Sequence, residues 1–377
     1  MPVIPVRHAL GSYSVHVTPG ALGSLPELLG KAMGHRQLVI ISDDEVSRYY
    51  DEWTRTGAGV DSEVPGDATP GIRLRPKAWL SFPAGEASKT RETWIRLSDE
   101  MLSLGLDRRT AVVALGGGVV GDLAGFVAAT FLRGVPCAQV PTTLLAMLDA
   151  SVGGKVGVDT PLGKNLIGAF HAPAIVVADP LTLLSLPDRV FRSGLAEAVK
   201  HGVIADASYF TWIESNAPRI IAREIDALAH LVARSVEIKA AVVGEDEREA
   251  GRRAILNAGH TIAHGLELES HYRLPHGEAV SLGLLGECRI AERMGLAQPG
   301  LADRVLGVLQ AVGLPTRIAH RPEIARVLDA MLHDKKNVEG QVRLALPTGL
   351  GAMHEGEGKW TVPVTHDLLA SAVSALT

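Results

Sequence analysis

The pattern of hydrophobic and polar positions changes at about residue 185. Before that point, short apolar runs rich in β-branched residues alternate with helical stretches. Four of these runs end at Ser42, Phe82, Leu115 and Asp179. An amphipathic stretch from Glu92 to Gly105 separates two of them. Apolar strands that alternate with helices indicate a mostly parallel sheet with helices on both faces.

After residue 185 the apolar positions follow helical spacing instead, and few strand-like runs occur. The predicted helices lie near residues 190–203, 223–243, 257–269, 277–294 and 301–312. The chain is therefore predicted to be an α/β protein, with a Rossmann-like parallel-sheet domain at 1–185 and an α-helical domain at 186–377. Because ligand sites favour clefts between domains, we expect the active site between the two. The Gly-, Pro- and charge-rich segment 54–77 is predicted to be a plain loop.

Composition limits the classes of function. The 377 residues are 46% hydrophobic and 21% charged, as in a soluble globular protein, and the formal net charge of −5 argues against a nucleic-acid binder. Two distant cysteines, Cys137 and Cys288, indicate neither a disulfide framework nor a CxxC metal motif. Without a recognisable signal peptide or an apolar stretch of membrane-spanning length, we expect a cytoplasmic protein.

The run ALGGGVVGDLAG follows a predicted strand and begins a helix. Its Gly116, Gly118 and Gly121 fit the pattern GxGxxG, in which glycines let backbone N–H groups approach a pyrophosphate at a helix N-terminus. The acidic residue that usually follows about 20 positions later is missing, so a purely structural turn is the alternative. Asp43 and Asp44 follow another strand. They are candidates for the ribose contact or for the N-cap of the next helix.

A second motif is rich in histidine. Four histidines lie within 17 residues: His260, His264, His271 and His276. Imidazoles joined by a carboxylate suit zinc or a similar divalent ion. Glu197 is the predicted carboxylate, and its alternative is a buried ion pair with Lys200. Spacing alone does not say which three residues bind the ion.

Several basic residues occur in segments rich in glycine, asparagine or apolar residues. They are Lys155, Lys164, Lys239, Arg253, Lys335 and Lys336. In an acidic protein such residues are candidate anion ligands, although a solvated surface position is the alternative for each one. Together with the metal and dinucleotide motifs, they indicate a substrate that carries phosphate, carboxylate or both.

These motifs resemble the 3-dehydroquinate synthase family over roughly residues 35–350. The blocks are GGGVVGDLAGFVAATFLRGV, PTTLLAMLDASVGGKVGVDTPLGKNLIGAF, GLAEAVKHG, DEREAGRRAILNAGHTIAHGLE, HGEAV and DKK. The resemblance implies an NAD- and metal-dependent lyase of the shikimate pathway that uses zinc or cobalt. Its substrate would be 3-deoxy-D-arabino-heptulosonate 7-phosphate. The resemblance also implies a homodimer with no nucleic-acid or membrane partner.

The resemblance also implies roles for individual positions. The metal ligands would be Glu197, His260 and His276. The catalytic residues would be Lys200, His264, Asn257 and Glu249, with His264 facing the substrate phosphate. The substrate would be bound by Asp149, Lys155, Asn165, Lys239, Arg253, one of Lys335 and Lys336, and Arg133 from a partner subunit. NAD would be bound by Asp43, Glu86, Lys89, Gly117, Gly118, Val119, Val120, Gly121, Asp122, Thr142, Thr143, Lys164, Thr182 and Ser185.

The chain departs from the usual family pattern at four positions and in the loop 54–77, which is extra. Val156, Asp159 and His171 replace the more usual Thr, Asn and Tyr, and Ala250 replaces a glycine. None of these positions carries an implied ligand. The alternatives are a metal-dependent NAD polyol or alcohol dehydrogenase, another sugar-phosphate cyclase, and a non-catalytic homologue. A dehydrogenase would have no need of the basic residues, and a non-catalytic homologue should lack a metal or anion ligand.

Overall fold

The computed structural model describes residues 2–9, 11–56, 75–319, 322–332 and 341–377. The chain forms two compact units, Met1–Pro187 and Asp188–Thr377. Lys335, Lys336 and most of the predicted loop 54–77 lie outside the described residues. No helix in the described part of the chain is long and apolar enough to cross a membrane.

The first unit alternates strands and helices. Its strands are β1 Val3–His8, β2 Gly11–Val17, β3 Gln37–Asp43, β4 Ala78–Phe82, β5 Thr110–Gly116, β6 Cys137–Pro141, β7 Lys155–Thr160, β8 Gly163–Phe170 and β9 Ile175–Ala178. Its helices are α1 Leu25–Met33, α2 Asp44–Thr56, α3 Arg91–Ser103 and α4 Gly118–Thr130. The four strands and the helix predicted from apolar periodicity are thus confirmed.

In the described part of the chain, seven strands form one sheet in the order β1-β2-β9-β6-β5-β3-β4, and β7 pairs with β8 in a separate hairpin. Among the described strands of the large sheet, only the β1–β2 pair is antiparallel; the other neighbours are parallel. Every residue of β5 is buried, as expected for a central parallel strand covered on both faces. The predicted Rossmann-like parallel sheet is therefore confirmed.

The second unit is mainly helical. Its helices are α5 Asp188–Ala205, α6 Ala207–Ile221, α7 Ile225–Glu245, α8 His260–Glu269, α9 His276–Arg293, α10 Leu301–Ala311, α11 Ile324–Leu332 and α12 His366–Ser374. The described residues of this unit also form four short strands: β10 Arg343–Leu344, β11 Pro347–Gly349, β12 Ala352–Met353 and β13 Val362–Pro363. The five predicted helices correspond to α5, α7, α8, α9 and α10.

One helix boundary was predicted wrongly. The helix expected from residue 257 starts at His260, because Arg252–Asn257 forms a 3-10 turn and Gly259 takes a left-handed conformation with φ of 81°. A left-handed residue cannot continue a right-handed helix, so the chain changes direction there. The change of direction places His260 in the first turn of α8.

Candidate metal and anion-binding site

Three helices of the second unit bring Glu197, His260 and His276 together. Glu197 lies in the middle of α5, whereas the two histidines are the first residues of α8 and α9. Glu197 Oε1 is 3.5 Å from His260 Nε2 and 3.7 Å from His276 Nε2. One possible ligand atom from each residue lies within 4.8 Å of the others, so a single ion can contact all three.

The start of α8 is fixed by contacts with α9. Glu287 on α9 accepts a hydrogen bond from the Gly259 N–H at 2.6 Å. A Cβ atom at Gly259 would lie 2.9 Å from Leu284 N, so only glycine fits against α9 at this point. His260 Nδ1 is 3.2 Å from the Ala258 carbonyl oxygen, which leaves its Nε2 directed towards Glu197. The backbone therefore sets the orientation of His260.

A second close approach fixes the start of α9 against α5. The Gly277 N–H donates a hydrogen bond to Ser193 Oγ at 3.1 Å. Any Cβ atom at Gly277 would collide with the carbonyl oxygen of Ser193. Because Gly277 directly follows His276, and Ser193 lies one turn before Glu197, this contact determines how near His276 and Glu197 are.

The electrostatic environment favours a cation among these side chains. Burial by itself would raise the pKa of Glu197. The charge of Lys200 and the two histidines outweigh burial and hold that pKa well below its usual range. Lys200 and Glu197 form a buried ion pair. Burial and the charge of Lys200 lower the pKa of His260 well below its usual value. Its imidazole is therefore neutral, which is the form that binds metals.

His276 differs from His260 in its electrostatics. Burial opposes its protonation, but the carboxylates of Glu197 and Glu267 raise its pKa to about 9. The position thus attracts positive charge, which a divalent ion supplies in place of the proton. Two imidazole nitrogens and one carboxylate oxygen also form a donor set typical of catalytic zinc sites. The residues present therefore fit a divalent metal ion.

Other predicted residues of the second unit form further contacts. Lys239 on α7 and Arg253 are buried cations, and the Arg253 guanidinium donates a hydrogen bond to the Glu247 carbonyl oxygen. Asn257 Nδ2 donates to Glu249 Oε1 at 2.5 Å, so this pair is joined directly.

The other two histidines of the motif lie outside the metal-ligand group. The ring centroids of His264 and His260 are 5.7 Å apart, and the rings meet edge to face. His271 is exposed in the turn after α8. Of the four histidines in the motif, the group of possible metal ligands in the described residues contains two, His260 and His276.

In the first unit, the glycine-rich turn connects β5 to α4. A Cβ atom at Gly117 would lie 3.1 Å from Thr143 Cγ2, and one at Gly121 would lie 2.7 Å from Gln139 Oε1. The glycines therefore let α4 pack closely on β6 and the segment after it, as the structural alternative requires. They also place the N-terminus of α4, which carries Gly118, Val119 and Val120, at the carboxyl edge of the sheet. Dinucleotide-binding folds hold a pyrophosphate at this position.

Four of the predicted cofactor residues form one charged cluster: Glu86, Lys89, Asp122 and Lys164. Lys89 Nζ lies 2.5 Å from Asp122 Oδ2, and Lys164 Nζ lies 3.3 Å from Glu86 Oε1. Burial opposes the charge of Lys89, but Asp122 and Glu86 raise its pKa. Asp159, a departure from the family pattern, accepts the Asn165 N–H at 2.8 Å and thereby joins β7 to β8 within this cluster.

The remaining predicted cofactor residues support local structure. Asp43 Oδ1 accepts the Val46 N–H at 2.7 Å, so Asp43 caps α2, as its alternative interpretation expected. Thr143 Oγ1 accepts the Ala146 N–H, and the Thr142 N–H donates to the Gly116 carbonyl oxygen. Ser185 Oγ donates to the Thr182 carbonyl oxygen. Their contacts with NAD remain predictions.

The four predicted substrate residues of the first unit lie on turns and strand ends. Asp149 lies in a π-helical turn, Ala146–Ala150, and Lys155 is the exposed first residue of β7. Asn165 has a φ of 54°, and Arg133 is exposed with a φ of 70°. The structure thus presents Lys155, Asn165 and Arg133 at the surface of the described chain.

Sequence reasoning missed Glu267, Glu287 and Ser193. Glu267 lies seven positions after His260, and this helical spacing puts both on one face of α8. That spacing could have revealed Glu267. Nothing in the sequence connects Glu287 or Ser193 with the histidines, because their contacts depend on how α9 and α5 pack.

We expect Gly277→Ala to lower the free energy of unfolding by about 1–3 kcal/mol, because the new methyl group must displace Ser193. It should also weaken zinc binding by moving His276. Gly307→Ala is the matched control, because a Cβ atom there has nothing within 4 Å. Urea unfolding and zinc titration check both variants. Equal behaviour of Gly277→Ala and Gly307→Ala would contradict the packing account.

Solved structures indicate the class of protein. A 2-deoxy-scyllo-inosose synthase complexed with carbaglucose-6-phosphate, NAD+ and Co2+ matches with a TM-score of 0.87 and 26% identity, over 100% of both chains. ValA, a 2-epi-5-epi-valiolone synthase from Streptomyces hygroscopicus with NAD+ and Zn2+ bound, has a TM-score of 0.83 and 27% identity, over 100% of this chain and 99% of ValA. The chain is thus similar to synthases that bind NAD and a divalent metal. A putative alcohol dehydrogenase from Ralstonia eutropha shares the fold alone. It is 16% identical, with a TM-score of 0.66, over 100% of this chain and 98% of its own.

Sequence comparisons identify the family. Residues 79–193 match the family model for 3-dehydroquinate synthase N-terminal, and residues 194–337 match that for 3-dehydroquinate synthase C-terminal. The 3-dehydroquinate synthase of Pelotomaculum thermopropionicum is 43% identical over 93% of this chain and 92% of its own. The 3-dehydroquinate synthase of Caulobacter vibrioides is 42% identical over 92% of this chain and 93% of its own. The chain belongs to the 3-dehydroquinate synthase family.

Proposed function

We propose that the protein converts 3-deoxy-D-arabino-heptulosonate 7-phosphate into 3-dehydroquinate and phosphate, as a carbon–oxygen lyase of the shikimate pathway in the cytoplasm. The Glu197–His260–His276 cluster around the buried Glu197 carboxylate is the observation that carries this proposal, because it supplies a metal site in a chain 41–43% identical to 3-dehydroquinate synthases. The reaction comprises transient oxidation of a hydroxyl, β-elimination of phosphate, re-reduction, ring opening and aldol closure. Its products feed chorismate and aromatic amino-acid synthesis.

Glu197, His260 and His276 hold the divalent ion, zinc or cobalt, in this proposal. When bound, the ion supplies a Lewis acid that polarises a substrate hydroxyl. Lys200 forms an ion pair with Glu197, so its ammonium group lies beside a metal ligand. Lys200 and His264 are suited to hold or move protons there, since both lie next to metal ligands within a partly desolvated site.

The other residues of the second unit bind and orient the anionic substrate. Lys239 and Arg253 are buried cations in an acidic protein, and in this proposal they donate charge-assisted hydrogen bonds to the phosphate or carboxylate of the substrate. Asn257 and Glu249 form a direct hydrogen bond that fixes both side chains beside the turn leading to His260. Fixed groups of this kind hold a substrate in a reactive geometry, which in favourable cases lowers a barrier by about 7–11 kcal/mol.

NAD is the second cofactor of the proposal, and when bound it supplies a reversible hydride acceptor. The glycine turn from Gly117 to Asp122 binds its pyrophosphate at the N-terminus of α4. The charged cluster of Lys89, Lys164 and their carboxylate partners lies beside that helix and binds its polar groups. The NAD+ bound to two similar synthases supports this assignment.

The test is release of inorganic phosphate from the seven-carbon substrate, with NAD far below the substrate concentration. We expect many turnovers per NAD, because each hydride removed is returned to the same substrate. A chelator should abolish turnover, and added zinc or cobalt should restore it. Steady accumulation of NADH with a polyol, without phosphate release, would support the dehydrogenase alternative instead.

We also propose a homodimer in which Arg133 acts in the site of the partner subunit. Arg133 follows the C-terminal end of α4, whereas the glycine turn lies at the other end; 13 helical residues separate them by about 20 Å. Arg133 is therefore remote from the cofactor site of its own chain. The β7–β8 hairpin also exposes large apolar side chains that a second subunit would cover: Leu162, Leu166, Ile167 and Phe170.

Mixed dimers test this arrangement. Arg133→Ala and Lys200→Ala chains carrying different affinity tags are co-expressed, and the mixed species is isolated by two successive purifications. If Arg133 acts in the partner's site, one of the two sites has both residues, and we expect about half of wild-type activity. Activity no higher than that of either parent would show that Arg133 acts within its own chain. Failure to isolate any mixed dimer would contradict the proposed assembly.

A further inference from the structure

We propose that Glu267 is a positioning residue for the metal: it accepts a hydrogen bond from His276 Nδ1 and directs His276 Nε2 at the ion. This inference rests on the metal site of the proposed function. Glu267 Oε1 lies 3.5 Å from His276 Nδ1, and the opposite ring nitrogen, Nε2, lies 3.7 Å from Glu197 Oε1. The imidazole of His276 is therefore bracketed by one carboxylate on each side.

The burial of Glu267 indicates that it serves a specific partner. Its side chain is 3% exposed, although glutamate is almost never buried unless it is paired. It lies on α8, the helix that also supplies His260, whereas His276 comes from α9. One helix thus contributes a metal ligand of its own and the carboxylate that orients the ligand of its neighbour.

The chemistry of imidazole explains why this contact matters. A neutral imidazole can bind a metal through Nε2 only when its proton is on Nδ1, and an acceptor at Nδ1 selects that tautomer and fixes the ring plane. For His260 the acceptor is the Ala258 carbonyl oxygen. For His276, Glu267 fills this role. A carboxylate acceptor also makes the ligating nitrogen more basic, which strengthens its bond to the metal.

The contact has a matched control on the same helix. Glu269 lies two residues further along α8, is only partly buried, and accepts the Glu323 N–H at 3.2 Å. Because it faces a different part of the unit, its removal changes the charge of the protein equally without touching His276. A difference between variants at 267 and 269 therefore reports position and not net charge.

The test is Co2+ binding to the metal-free protein, followed by calorimetry and by the visible absorption of the bound ion. We expect Glu267→Ala to weaken Co2+ binding about 10–100-fold and to change the absorption spectrum. Glu267→Gln should bind within several-fold of wild type, because the amide oxygen accepts the same hydrogen bond. Glu269→Ala should match wild type.

Several outcomes would overturn the inference. Wild-type affinity and an unchanged spectrum for Glu267→Ala would exclude a positioning role, and so would equal losses for the Gln and Ala variants. If Glu267→Ala does not fold, as judged by circular dichroism, Glu267→Met takes its place, because it keeps the volume of the side chain but offers no oxygen acceptor, and the same loss of affinity is expected. A wild-type protein that binds no Co2+, or binds it equally after His276→Ala, would refute the proposed metal site itself, which is a separate failure.

Discussion

The burial of one carboxylate, that of Glu197, is the constraint on which the site depends. A buried unpaired carboxylate would cost several kcal/mol, so the fold must surround it with positive or polarisable partners. Lys200 supplies one such partner from the same helix, and the imidazoles of His260 and His276 supply two more from other helices. A divalent ion between the carboxylate and the imidazoles would complete this arrangement. The same interaction thus accounts for the electrostatics of the site and for its capacity to bind metal.

Glycine contacts convert this electrostatic requirement into a fixed geometry. Gly259 packs against the backbone of α9, and Gly277 packs against Ser193 on α5. Each of these glycines directly adjoins a histidine of the cluster. Because backbone contacts leave little freedom, the histidines are held by the packing of three helices and not by a flexible loop. A preorganised site of this kind needs little rearrangement when an ion or substrate binds.

The sequence predicted the elements whose signal is local. Strongly apolar strands such as β5 and long amphipathic helices such as α9 were found, and the structure brings the predicted Glu197, His260 and His276 together. The strands β7 and β8 were missed, because Gly157 and Gly168 lack side chains and weaken the strand pattern. Long-range contacts were also missed. Glu287 was not identified because its role depends on the packing of α8 on α9. In the sequence, Asp43 fitted both a helix N-cap and a contact with the ribose. In the structure it caps α2.

The metal site is defined by the identity of the atoms around the ion. X-ray absorption spectroscopy at the zinc edge of the zinc-loaded protein measures these atoms. We predict two imidazole nitrogens at about 2.0–2.1 Å and a carboxylate oxygen at about 2.0–2.2 Å. One imidazole should be lost from the spectrum in His260→Ala. A zinc shell made of oxygen atoms alone, unchanged in that variant, would contradict the site described here.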